Sequence, residues 1–271
     1  MRARRAVLLA VVVGVLLYAA YGVAAVSVHT RLVVYPFHNQ TELMEPGFDA
    51  QDVPTDAGPL RVYKHVGEAG APVVIYFMGN VGALTAFAPM LRHHADAGRS
   101  VVAMGYRGGG GVSGTPSEDR LKADALAVYD ALPQLVGKDG PVIVHGYSLG
   151  TGLALHVAAE RPVDGLILAA PYARLCELMA VRSFLPACLI PGVQKWQSLK
   201  DARRVTAPSL VLHGTVDGLI PFGHGERVVA ALEAAGSDTS LVPIELGGHD
   251  GLFGKPGYLT SIDAFIDGIA R

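Results

Sequence analysis

Cysteine is nearly absent from this chain of 271 residues: there are two, Cys176 and Cys188. Their spacing matches no metal motif, so the chain gives no ligand set for a structural metal. Across so short a loop the pair can join as a disulfide in an oxidising compartment or remain as two buried thiols, and both readings stay open. A large excess of charge is missing as well. The formal net charge is −2, and the 22 basic residues are scattered apart from Arg2, Arg4 and Arg5 and the neighbours Arg203 and Arg204. Without a basic face there is no electrostatic footprint for nucleic acid. Nothing in the composition points to disorder, collagen or a repeat array. The length fits one main domain with a short extra segment.

What the chain does have is one long uncharged run near its start. Residues 6–26 carry no charge, and as a helix they would extend about 31 Å, enough to cross a bilayer core. Three arginines precede the run and only Arg31 follows closely. The positive-inside bias therefore predicts a single-pass anchor over residues 1–30, with the N-terminus cytoplasmic and residues 31–271 outside the cytoplasm. The alternative is a signal peptide cleaved after small residues such as Val23 and Ala25. Secretory apolar cores usually run about 7–15 residues, shorter than this one. Both readings place the remaining domain across the membrane.

Residues 35–58 are rich in Pro, Asp and Gly and read as connector and edge structure. After them, apolar runs bounded by turn residues recur at 73–77, 100–104, 142–145, 165–170 and 209–213, the pattern of strands buried on both faces. Between and after them, residues 83–94, 118–135, 149–160, 225–235 and 258–269 place apolar residues three and four apart, as helices do. Ser117 followed by Glu118 and Asp119 marks the start of the second of these. Strands alternating with helices predict βαβ units and an open, mostly parallel α/β sheet, whose ligands sit beyond the carboxyl ends of the strands. The stretch 173–208 is too long for a plain crossover and is interrupted by Pro186 and Pro191. It is expected to be a small helical insertion forming a lid.

Gly146-Tyr147-Ser148-Leu149-Gly150 falls directly after one strand run and directly before a helical pattern. A serine hydroxyl is a weak nucleophile unless it is held exposed beside a base, with donors ready for the charge that develops on attack. A sharp strand-to-helix turn provides this, and flanking glycines let the chain turn without steric conflict. As a bare pattern in a glycine-rich chain the motif is weak, and its place between strand and helix gives it force. Fitting bases and acids lie further on in the order nucleophile, acid, histidine. Asp217 closes His213-Gly214-Thr215-Val216-Asp217 after one strand run, and His249 sits in Gly247-Gly248-His249-Asp250 after the run 241–246. In this reading His249 takes the Ser148 proton and returns it to the leaving group, while Asp217 orients the imidazole and stabilises its cation. Asp250 is a rival acid, and His213 and His145 are rival bases at strand ends. His93 and His94 read as helix surface. The backbone N–H of Leu149 and the segment Met78-Gly79-Asn80-Val81-Gly82, with Asn80 as donor, are the expected oxyanion hole.

One competing motif is set aside. Gly109, Gly111 and Gly114 match the spacing of the dinucleotide fingerprint, but within four consecutive glycines such a match arises easily. The matching acid, Asp130, falls within a helix rather than at a strand end. No cofactor and no metal are expected.

Taken together, the segment 76–82, Tyr106-Arg107-Gly108 with the segment 113–118, the serine turn 146–150, the acid loop 213–217 with Ile220-Pro221, and Gly247-Gly248-His249 make the chain resemble one known group. It is similar, from about Arg31 onward, to the membrane-anchored α/β-hydrolases of the BEM46-like group, related to the ABHD-type hydrolases and the serine aminopeptidase-like branch. The resemblance implies the α/β-hydrolase fold and places the family's nucleophile, acid and base on Ser148, Asp217 and His249. Two positions depart from the pattern: Met78 stands where the family usually has histidine, and Gly105 where it often has aspartate. Neither supplies a triad atom or an oxyanion N–H.

The expected activity is hydrolysis of an ester or thioester through an acyl-enzyme on Ser148. The membrane tie and the lid residues Leu185, Leu189, Ile190 and Trp196 point toward a lipid-like acyl substrate, although such residues also serve as lid core. A peptidase or acyltransferase would use the same acyl-enzyme. A non-catalytic binding protein on the same fold is the reading from another class.

Overall fold

A computed structural model describes residues 2–37, 42–109, 112–137 and 139–270 of the chain. Among these residues eight strands form one sheet: β1 (Asp49–Val53), β2 (Leu60–His65), β3 (Val73–Phe77), β4 (Ser100–Met104), β5 (Val142–Tyr147), β6 (Gly165–Ala169), β7 (Ser209–Gly214) and β8 (Thr239–Ile244). Their order across the sheet is β1-β2-β4-β3-β5-β6-β7-β8. β1 and β2 pair antiparallel at one edge, as does β2 with β4, and every other pairing is parallel. This is the open, mostly parallel α/β sheet expected from the alternation of patterns, in the α/β-hydrolase form that the resemblance implies.

All residues of β3 to β7 are buried. That accounts for their unbroken apolar runs, since both faces are covered by helices. β8 closes the other edge and mixes exposed with half-buried positions. It begins two residues earlier than the apolar run because Thr239 and Ser240 already pair with β7.

Nine helices occur among the described residues: α1 (Arg2–His29), α2 (Ala88–Asp96), α3 (Glu118–Asp130), α4 (Leu132–Leu135), α5 (Gly150–Glu160), α6 (Leu175–Ser183), α7 (Ser198–Ala202), α8 (Gly223–Ala234) and α9 (Tyr258–Ile269). Ser117 caps α3 by accepting the Arg120 N–H. The helical stretch 118–135 divides at Ala131, with Pro133 in the first turn of the short α4, because proline within a continuous helix would lose a hydrogen bond and clash with the preceding turn. α5 packs on β5, and α3 packs on α5. From the loop after β4, Arg107, fully buried, binds the Asp124 carboxylate of α3 at 2.7 Å and donates to Thr55, Ala57 and Gly58, tying the edge connector to the helix layer.

His93 and His94 do not share the surface position expected of them. His93 is half-buried and pairs with Asp263 at 3.0 Å. His94 is fully buried, because three- and four-residue spacing sets it on the inward side of α2 with Met90 and Leu91. It contacts His145 at 3.2 Å and Arg99 at 3.1 Å.

Residues 173–208 hold α6, a single turn at Ala187–Leu189 and α7, a helical insertion as the interrupted spacing predicts. Cys176 and Cys188 are joined by a disulfide, which resolves the choice left open by the sequence. At the N-terminus, α1 contains an apolar span from Ala3 to Val28. In the rival glycine motif, Gly111 lies outside the described residues, and Asp130 closes α3 with its carboxylate on Arg161 at 2.8 Å.

Candidate active site

Ser148 is the hinge between β5 and α5, with φ at 51°. A left-handed conformation is uncommon for a non-glycine residue and costs roughly 1–3 kcal/mol. The neighbouring glycines make it attainable by leaving room. A Cβ on Gly146 would lie 2.6 Å from the Gly150 carbonyl oxygen, and one on Gly150 would lie 2.1 Å from that of Phe77. Close approach of three backbone segments is thus what the two glycines serve, while the serine itself carries the strained torsion. The turn is also held by the Ser148 N–H donating to Ala169 at 2.9 Å and the Thr151 hydroxyl donating to the Ser148 carbonyl at 2.6 Å.

The loop after β8 brings His249 to this turn, and the loop after β7 brings Asp217. Ser148 Oγ lies 2.8 Å from His249 Nε2, and His249 Nδ1 lies 2.8 Å from Asp217 Oδ2. The three side chains named from the sequence therefore form one unbroken chain of hydrogen bonds at the carboxyl ends of β5, β7 and β8. The other Asp217 oxygen, Oδ1, accepts the N–H groups of Leu219 and Ile220, each at 2.8 Å. Burial pushes the Asp217 carboxyl up, but the bond to His249 and the two backbone donors outweigh it and hold the carboxyl below its ordinary value. It is an anion placed against the imidazole.

The rivals take other positions, with His213 Nε2 at 3.6 Å from Asp217 Oδ2. His213 is buried and donates through Nε2 to the Ile220 carbonyl at 2.8 Å, and burial lowers its pKa. His145 is buried against Tyr76 and His94. Asp250 is exposed to solvent. Among the described residues, no cluster of three His, Cys, Asp or Glu side chains could hold a metal ion.

Leu149 stands at the N-terminus of α5, where first-turn N–H groups have no partner within the helix. Asn80 and Leu149 line the same pocket as Ser148. The segment bearing Asn80 is fixed from behind by the Tyr106 hydroxyl, which donates to the Met78 carbonyl at 2.6 Å. Met78 itself is buried, so an apolar side chain fills the position where the resemblance implies histidine. The glycine at 105 has a steric reason: a Cβ there would lie 2.9 Å from both the Arg61 carbonyl oxygen and the Val112 side chain.

Several contributors were invisible in the sequence. The Tyr147 hydroxyl donates to the His249 carbonyl and its ring lies 5.7 Å from the imidazole, so the residue beside the nucleophile also holds the base loop. Its position inside the serine motif was the one available signal. The pocket over Ser148 has a volume of about 40 Å³ and an almost wholly apolar wall, built from Val34, Tyr172, Leu178 and Ile220 among others, with Arg182 as its one charged side chain. Of the lid residues expected to form an acyl pocket, none lines it. Leu185 and Trp196 are buried in the insertion, with the Trp196 indole donating to Tyr35, while Ile190 packs near the disulfide and Leu189 faces out. The pocket wall instead comes from α6 and from the segment just after α1, both of which needed the tertiary fold to be placed.

Chemically, the arrangement can move a proton from a hydroxyl to an imidazole backed by a carboxylate, beside backbone donors and under an apolar cover.

The chain is similar to known proteins in both sequence and fold. The profile of the family described as serine aminopeptidase, S33, matches residues 70–196. The lysophosphatidylserine lipase ABHD12 of Xenopus tropicalis is 30% identical over 190 residues, covering 62% of this chain and 49% of that protein. An uncharacterised protein of Mycobacterium tuberculosis is 34% identical over 171 residues, covering 62% of this chain and 60% of that protein. The chain thus spans about half to three fifths of the length of these relatives. Among solved structures, the Pyrococcus furiosus esterase Pf2001 superposes with a TM-score of 0.71 at 15% identity, covering 88% of this chain and 99% of that one. Thermogutta terrifontis esterase 2, phosphoramylated by tabun, gives 0.66 at 21% identity, covering 84% and 96%.

Proposed function

We propose that this chain, which is similar to α/β-hydrolases of the ABHD type, hydrolyses an ester or thioester through an acyl-enzyme on Ser148. The observation that carries this reading is the pair of 2.8 Å contacts running from Ser148, which lines an apolar pocket, through His249 to Asp217. Ser148 Oγ attacks the acyl carbon and passes its proton to His249 Nε2. The negative charge that gathers on the acyl oxygen meets the Leu149 N–H and the Asn80 segment. The bond to the leaving oxygen or sulfur breaks as His249 returns the proton to it. Water, deprotonated by His249, then attacks the acyl-serine, releasing the acid and restoring the hydroxyl.

A lipid-like acyl group is the proposed substrate. The pocket wall is apolar, the chain carries a 26-residue apolar helix, and one relative is named a lysophosphatidylserine lipase. At about 40 Å³ the pocket holds a short acyl group, so a longer chain requires the insertion 173–208 to act as a lid and α6 to move outward. Aminopeptidase action, which the family's description raises, fits less well, because the pocket wall has no carboxylate to receive a free α-ammonium and presents Arg182 instead. We further propose that α1 anchors the protein with its N-terminus in the cytoplasm and the sheet domain outside, where an oxidising compartment suits the Cys176–Cys188 disulfide.

Hydrolysis of p-nitrophenyl esters of increasing chain length tests the catalytic reading. Turnover by the parent should fall at least about a thousandfold in Ser148→Ala; equal turnover by the two proteins would refute it.

A further inference from the structure

The insertion presents an apolar surface beside α1 that the catalytic reading does not use. Val181, Phe184 and Leu189 are 76%, 88% and 81% exposed. Phe184 caps α6 with φ at 56°, a left-handed conformation seldom taken by a bulky residue. Single exposed apolar residues are ordinary on a protein surface. These three belong to the insertion against which α1, a helix long and apolar enough to span a membrane, is held. The Tyr21 hydroxyl donates to the Ser183 carbonyl at 2.8 Å and that of Tyr18 to the Phe184 carbonyl at 3.3 Å. Val26 packs on the apolar cluster around the disulfide. A gap of about 400 Å³ between α1 and the insertion is lined by Gly22, Val23, Leu185, Pro186 and Ile190 among others, with a mostly apolar wall.

The position of these contacts along α1 decides what surrounds them. The apolar span Ala3–Val28 has 26 residues, about 39 Å of helix against a hydrocarbon core of about 30 Å, so an upright helix can slide by only about 9 Å and keep the core filled. Tyr18 lies about 22 Å from the start of the span and about 15 Å from its end, and Tyr21 lies about 10 Å from that end. Over the whole allowed range both tyrosines stay at or inside the boundary of the core. If α1 spans the bilayer, the insertion that they touch is at membrane depth too. There, carbonyls at a helix C-terminus need protein donors, because lipid offers none, and the two tyrosine hydroxyls supply them to Ser183 and Phe184.

We propose that the face formed by Val181, Phe184 and Leu189 is seated in the bilayer leaflet through which α1 leaves the membrane, so that an acyl chain passes from the hydrocarbon into the pocket beneath α6. Arg182, exposed next to Val181 and on the pocket wall, donates to the Leu219 carbonyl at 3.1 Å, and its guanidinium can reach lipid phosphate at headgroup depth. The entry route rests on the acyl-hydrolase reading, and the seating of the face rests on the proposed anchoring by α1.

The test uses the full chain in phosphatidylcholine vesicles whose acyl chains carry bromine, with Phe184→Trp and Leu189→Trp made separately. The one native tryptophan, Trp196, is 1% exposed and sets the background. Quenching of the added indole well beyond that of the parent supports the seating at either site. An added indole that is unquenched at both sites overturns it, and one that is blue-shifted yet unquenched assigns the face to a protein partner or a second copy. For the route, Phe184→Glu combined with Leu189→Glu should lower hydrolysis of a long-chain ester embedded in vesicles about tenfold or more, while hydrolysis of p-nitrophenyl acetate stays within about twofold. Equal loss on both substrates, or loss on neither, overturns the route. A parent inactive on both esters would contradict the hydrolase reading instead, leaving the quenching result to stand by itself.

Discussion

Asp217 shows how the candidate site sets a charge by local chemistry. Its carboxyl is buried, yet the His249 ring and the N–H groups of Leu219 and Ile220 stabilise the anion enough to lower its pKa. In linkage terms, a depressed carboxyl contributes stability that is present above its unfolded value of about 3.9 and lost as pH falls through the lower folded value. Asp217→Asn keeps the shape but offers an amide N–H₂ or oxygen to His249 Nδ1, and kcat for ester hydrolysis should fall by about 10²–10⁴-fold with little change in KM; unchanged kcat would remove Asp217 from the mechanism. The buried histidines shift in the same direction for a different reason, since burial disfavours their cation. Burial, with His93 and Arg99 adding to it, lowers His145 to about 3, and burial lowers His94 well below the usual range. Between about 6.5 and that lower value the unfolded chain binds protons that the folded chain refuses, so acidification destabilises the fold. His145→Phe, which keeps a ring against Tyr76, should narrow the gap in Tm between neutral and mildly acidic buffer, and an unchanged gap would show that other groups govern acid stability. Ser148, Asp217 and His249 were legible from the sequence because each is a chemically distinctive residue at a strand's end. The buried state of His94 was legible only in part, since its spacing with Met90 and Leu91 marks an inward face that its polarity hides.

The insertion shows where local pattern stops being informative. Its helices could be anticipated from spacing and its breaks from Pro186 and Pro191, but which of its residues face Ser148 depends on how α6 is pinned. Two constraints do this: the Cys176–Cys188 bond, which closes a separation of 12 residues, and the pair of Glu177 with Arg227 of α8 at 2.6 Å. A crosslink over so short a loop contributes roughly 3 kcal/mol in the chain-entropy view. Replacing both cysteines by serine should therefore lower Tm by roughly 5–10 °C and alter turnover of long-chain esters more than that of acetate, since α6 carries Leu178 and Arg182 of the pocket wall. A double variant with the parent's Tm and chain-length profile would show that the bond does not hold α6 in place. The division of α3 from α4 was in principle readable from Pro133, a residue that helical periodicity by itself passes over.

The sheet as a unit was the most readable part of the chain. Strands covered on both faces must be apolar throughout, so β3 to β7 announce themselves, and the parallel arrangement follows from the helices between them. The edge strands β1 and β2 are mixed in polarity and were visible only as connector and edge. The fold then gathers three loops from the carboxyl ends of β5, β7 and β8 onto one rim, and brings the segment after α1 and the insertion over them. Peptide mass spectrometry after treatment with a fluorophosphonate asks whether that rim works as an acyl-transfer centre. The account predicts a phosphonyl adduct confined to the peptide containing Ser148 and absent from His249→Ala, which retains the hydroxyl but lacks the base. An adduct on another residue, or none on the active parent, would contradict it.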